Sequence, residues 1–154
     1  TPDAHAEVFK ELTDSLKTSQ VTEVDFSSCG IGAVALGHLS DWVRDATAAV
    51  ESIDLSGCGL TGATWNSDYD RWDNIDSDMD GFIALCAVLG KVRTVRLADC
   101  GLGASSVAEL SKIFSDATAA LTKVDVRGNK RLDKTAVDAL RAAAPETCEI
   151  LADH

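Results

Sequence analysis

Four stretches of the chain follow one template, apolar-x-x-apolar-x-apolar-x-x-Cys/Asn-x-apolar. The anchors are Val21, Val24, Phe26, Cys29 and Ile31, then Val50, Ile53, Leu55, Cys58 and Leu60. They recur at Val92, Val95, Leu97, Cys100 and Leu102, and in a looser copy at Leu121, Val124, Val126, Asn129 and Leu132. The first and second copies, and the third and fourth, start 29 residues apart, whereas 42 separate the second from the third. Self-similarity at a fixed period is the mark of a repeat architecture. The middle unit therefore carries an insertion of about 13 residues relative to that period.

Within a unit the period changes. Val24/Phe26, Ile53/Leu55, Val95/Leu97 and Val124/Val126 alternate, which predicts a short strand. A small-residue turn follows, Cys-Gly in three copies. Leu36, Leu39 and Val43 then share a helical face, as do Val107, Leu110 and Phe114. One strand and one helix cannot bury their own apolar sides, but stacked neighbours can. The expected fold class is α/β, a solenoid with parallel strands on its concave side and helices on its convex side. Residues 1–154 are expected to form one domain. Residues 1–20 make an N-terminal helical cap striped by Val8, Phe9, Leu12 and Leu16. Residues 21–133 carry the four repeat strands, with the insertion at 64–81. Residues 134–154 form a last helix, stopped by Pro145, and an edge strand through Cys148 and Ile150. An unpaired edge invites pairing, so either the native chain continues there or a partner docks.

The formal net charge of −11 disfavours nucleic acid and anionic membrane, whose recognition rests on Lys and Arg. It suits basic proteins or cations. No apolar run is long enough to cross a bilayer, and the first residues show no signal-peptide pattern. Three of the five cysteines occupy one template position, so they are repeat residues rather than a disulfide framework. An intracellular setting, cytoplasmic or organellar, is expected.

These residues resemble leucine-rich repeats. The 29-residue unit, the Cys at the turn and the helical return are similar to the ribonuclease-inhibitor type, which includes the Ran GTPase-activating protein. The resemblance covers nearly all of 21–151. It implies a curved parallel sheet used to bind proteins, few enzymes, and a structural turn ladder at Cys29, Cys58, Cys100 and Asn129, whose side chains bond backbone groups inside the turns. The chain departs from the family in its insertion and its low repeat number.

Three sets of residues are candidate sites. On the strand face away from the core, Asp25, Asp54, Arg96 and Asp125 form one rung. Glu23 and Arg127 flank it, acidic toward the first strands and basic toward the fourth. The alternative is an ordinary solvated face. The insertion supplies Trp65, Tyr69 and Trp72, two of the three Trp and the only Tyr. They either pin the loop to the helices or anchor a partner. Within it, Asp76, Asp78 and Asp80 with Gly81 reproduce the opening of a calcium-binding EF-hand loop. The closing bidentate Glu is absent, because Ala87 stands there. The alternative is an Asp-rich cap for a helix over 82–89, with Asp80 as N-cap.

The expected function is a non-enzymatic protein-interaction module, a scaffold or small subunit without a cofactor. A calcium-responsive binder is the runner-up. A GTPase-activating accessory follows from family analogy alone. Partners are expected on the concave face, the insertion or the C-terminal edge strand, with neither nucleic acid nor direct membrane insertion.

Overall fold

The computed structural model describes residues 2–116 and 118–154. Its five repeat strands are β1 (Glu23–Asp25), β2 (Ser52–Asp54), β5 (Thr94–Arg96), β6 (Lys123–Asp125) and β7 (Glu149–Leu151). They form one parallel sheet in the order β1-β2-β5-β6-β7. Helix α1 (Ala6–Leu16) precedes them, and between them lie α2 (Ala33–Asp45), α3 (Asp80–Leu89), α4 (Ala104–Lys112) and α5 (Lys134–Ala143). Successive helices touch in turn, so every unit packs on its sequence neighbours. The insertion contributes an antiparallel hairpin, β3 (Thr64–Asn66) and β4 (Arg71–Asp73). Among the described residues no helix is long and apolar enough to cross a membrane.

The register follows the repeat. Val24, Ile53, Val95, Val124 and Ile150 are partners across the sheet. One position on, the amides of Phe26, Leu55, Leu97 and Val126 donate to Asp54, Arg96, Asp125 and Leu151 carbonyls at 2.8–2.9 Å. Leu55, Leu97 and Val126 are buried, each contributing roughly 1.5–3 kcal/mol on the scale of full aliphatic burial. Phe26 has no strand before it. It packs edge-on against Phe9 of α1, with ring centroids 5.0 Å apart.

The turn ladder couples units as well as closing turns. Cys58 Sγ donates to Phe26 O at 3.3 Å and Cys100 Sγ to Leu55 O at 3.1 Å. Asn129 Nδ2 donates to Leu97 O at 2.9 Å and to its own turn at Val126 O, 2.8 Å. Its Oδ1 accepts the amides of Cys100 and Leu102 at 2.9 and 3.0 Å. Cys29 has no preceding strand to reach. Its thiol bonds Ser27 O within its own turn and is exposed, whereas Cys58 and Cys100 are buried. The residue before each ladder position is left-handed: Ser28 (φ 53°), Gly57 (78°), Asp99 (52°) and Gly128 (75°).

Two helical faces are rotated from the expected ones. In α1 the inward positions are Phe9, Thr13 and Leu16, while Val8 and Leu12 are exposed. After α4 the chain tightens into a 3-10 turn, Ile113–Ser115, so Ile113 rather than Phe114 is buried.

The ladder has a consequence for stability. Cys100→Ala removes a buried inter-unit bond and opens a small cavity, so urea denaturation is expected to show a loss of about 1–3 kcal/mol. Cys29→Ala is expected to change stability by less than about 0.5 kcal/mol. Equal effects of the two substitutions would contradict a ladder that couples units.

Candidate interaction surface

The outer rungs align as the template spacing requires. Glu23, Ser52, Thr94, Lys123 and Glu149 are partners, as are Asp25, Asp54, Arg96 and Asp125. Three of the acids also build their turns. Asp25 Oδ1 accepts from Ser27 N at 2.9 Å, Asp54 Oδ1 from Ser56 N at 3.0 Å, and Asp125 Oδ1 from Arg127 N at 3.1 Å. This local side-chain-to-backbone turn is what the reading as a solvated face missed. Hydrogen bonds from Ser27 hold the Asp25 carboxyl below its ordinary range, and the charge of Arg96 adds to that. Asp125 is not an open rung member. It is 4% exposed beneath Arg127, whose Nε and Nη2 grip it at 3.0 and 2.9 Å. That grip is the main cause of its lowered pKa.

The hairpin brings the aromatics together. Trp65 and Trp72 are cross-strand partners, their rings 5.4 Å apart and near perpendicular. Such pairs stiffen a two-stranded ribbon. Trp72 is the pin. Its Nε1 donates to Asp99 Oδ1 at 3.0 Å, and its ring lies on the turns of the second and third units. A Cβ on Gly101 would stand 2.7 Å from that ring, so the close approach requires glycine there. Asn66 closes the hairpin loop, accepting the amides of Asp68 and Tyr69 and donating to Asp73 at 2.8 Å. Trp65 and Tyr69 face outward, 47% and 69% exposed. Arg71 lies over the Tyr69 ring at 4.8 Å and pairs with Asp73 at 3.0 Å. The two readings of the aromatics thus divide by residue: Trp72 pins, while Trp65 and Tyr69 are presented.

The Asp-rich stretch is organised around helix starts. Asp76, left-handed at φ 58°, accepts the amides of Ser105 and Ser106 at 3.1 and 3.4 Å and the Ser106 hydroxyl. The N-cap of α4 is Gly103, which has no side chain and leaves room for this carboxylate. Asp3, φ 61°, repeats the device. It accepts from Gly32, Val34 and Ala35 amides at 2.8–2.9 Å above the glycine N-cap of α2. Asp78 Oδ1 accepts from Asp80 N at 3.3 Å, and Asp80 is the first residue of α3 rather than its N-cap. The three carboxylates do not converge as the EF-hand spacing requires. Among the described residues no group of three or more His, Cys, Asp or Glu is arranged to hold a metal ion. Repeat spacing gives no sign of Asp3 or Asp99; both are left-handed, and they lie against Gly32 and Gly128 respectively.

Asp76→Ala removes the cap of α4. Thermal or urea unfolding is expected to show a loss of about 1–2 kcal/mol, as for other lost N-caps. Asp78 accepts a single side-chain bond, from the Asp80 amide, and Asp78→Ala is expected to cost less than half of that. The reverse order would show that Asp76 does not cap α4.

No family model matches the chain, and no curated protein matches it. Among solved structures, a tropomodulin C-terminal domain from Caenorhabditis elegans superimposes with a TM-score of 0.65 at 13% sequence identity. The match covers 97% of this chain and 82% of that one. The likeness is one of fold: a leucine-rich-repeat-like α/β arrangement around a parallel sheet.

Proposed function

We propose that the chain is a non-enzymatic protein-interaction module: a single leucine-rich-repeat domain of the ribonuclease-inhibitor type, coiled as a short solenoid. The observation that carries this reading is the presentation of Trp65 and Tyr69. Two large aromatics stand outward on a hairpin whose opposite strand is fastened through Trp72 to the repeat turns. Exposed aromatic rings are the usual anchors of protein interfaces. A ribbon that is already ordered loses little conformational freedom on binding. The adjoining strand face, with Glu23, Asp25, Asp54 and Arg96, supplies charged groups for the rim of such a contact. Arg127 adds a cation, while Asp125 serves chiefly to hold it. Among the described residues all five cysteines are free, which suits the proposed intracellular setting.

A photo-crosslinking residue placed at Tyr69 tests this directly in extracts of the native source. Protein adducts are expected from position 69 and are expected to disappear when Trp65→Ala is added. The same label at Ala87, exposed on α3, is expected to give few. Adducts confined to position 87 would place the interface on the helices and contradict the proposal.

A further inference from the structure

Charge on the surface is divided sharply along the chain. Residues 18–70 contain eight carboxylates and one cation, Arg44. Arg44 is engaged by Asp41 at 3.2 Å and Asp45 at 3.0 Å. Glu23, Asp25, Glu51, Asp54, Asp68 and Asp70 have no Lys or Arg nitrogen within 4.0 Å among the described residues. Asp25 and Asp54 are direct partners across β1 and β2. Their turns run on into a groove of about 440 Å³. Ser28, Gly30, Gly57 and Gly59 floor it, and Trp65 and Trp72 line its hairpin side. Asp25 and Asp54, neither paired with a cation, each precede a floor residue, Ser28 and Gly57, by three positions, and the exposed Trp65 indole lines the hairpin side.

The far side of the hairpin is different. There three cations, Arg71, Lys130 and Arg131, and two carboxylates, Asp70 and Asp99, line a cavity of about 50 Å³ against the same two indoles. On the sheet, Arg96 stands opposite Asp54 and marks the other limit of the acidic region.

We propose that the groove between the hairpin and the first two repeat turns is the docking track of a Lys/Arg-rich, extended segment of a protein partner. A guanidinium or ammonium group stacks favourably on an indole face. The long stems of Lys and Arg cover apolar surface while their heads reach carboxylates. The chain's net charge of −11 adds long-range attraction for the same class of partner. The cations across the hairpin confine that segment to one side of it. This assignment rests on the hairpin being the interface and names the chemistry of what it meets.

Isothermal titration of the full chain with an oligo-arginine peptide, and with an oligo-glutamate peptide, tests the assignment. Oligo-arginine is expected to bind and oligo-glutamate not to. Asp25→Asn with Asp54→Asn keeps the oxygen that caps each turn and removes both charges. This pair is expected to weaken binding about ten-fold or more, as is Trp65→Ala. Glu7→Gln with Glu11→Gln removes the same charge from exposed positions on α1 and is expected to change it less than about two-fold. Equal weakening by the two double variants would reduce the effect to net charge and overturn the track. So would an absence of oligo-arginine binding. If binding is absent while position 69 still yields Trp65-dependent adducts, the basic-segment assignment fails and the hairpin interface stands. If binding depends on Asp25 and Asp54 but is unchanged by Trp65→Ala, the carboxylates act without the hairpin and the track is overturned.

Discussion

From the second unit on, the side chain at each repeat turn reaches one unit back. Every strand is three residues long, so backbone pairing between neighbours is brief. Cys58, Cys100 and Asn129 extend that pairing beyond the strand by donating to carbonyls of the preceding unit. A thiol does this weakly and fills space well. An amide does it at both ends, which is why Asn129 also receives two amides from the unit before. Burial fits the geometry: desolvation raises the Cys58 thiol pKa, and it raises that of Cys100 much further. These thiols are poor nucleophiles and good spacers.

The repeat turns also make the platform for the hairpin. Trp72 settles where Gly59 and Gly101 leave no side chain, and Asp99, in its left-handed turn, takes the indole N–H. The turns are rigid because they are laddered, so the ribbon resting on them has a fixed direction. Trp65 and Tyr69 inherit that direction without touching the core. Acidic groups lie toward the first two units and cations toward the fourth, and the hairpin stands between them.

Much of the strand layer was legible in the residues. Apolar alternation and equal spacing set both the inward row of Leu55, Leu97 and Val126 and the outward rung of Asp25, Asp54 and Arg96. What spacing alone missed has one physical origin: partners far apart in sequence. The oxygen that caps α4 belongs to Asp76, and the one that caps α2 belongs to Asp3. Neither sits beside its helix in sequence. Read locally, Asp76 resembles a cation ligand. Ends depart from the pattern for a related reason. Cys29 matches Cys58 and Cys100 in sequence, yet no earlier strand covers it, so it is exposed. Asp125 matches Asp25 and Asp54 but lies beneath Arg127, a residue whose counterparts are Ser27 and Ser56.

The coupling of units through their turns is most directly read by native-state amide hydrogen exchange at Cys100 and Leu102. Both amides donate to Asn129 Oδ1, 29 and 27 residues away. They are expected to exchange among the slowest in the chain and to accelerate strongly in Asn129→Ala, with the Val24 and Ile53 amides much less affected. Exchange at Cys100 and Leu102 as fast as at Asp68 and Tyr69 in the hairpin loop, or unchanged on substitution of Asn129, would contradict it.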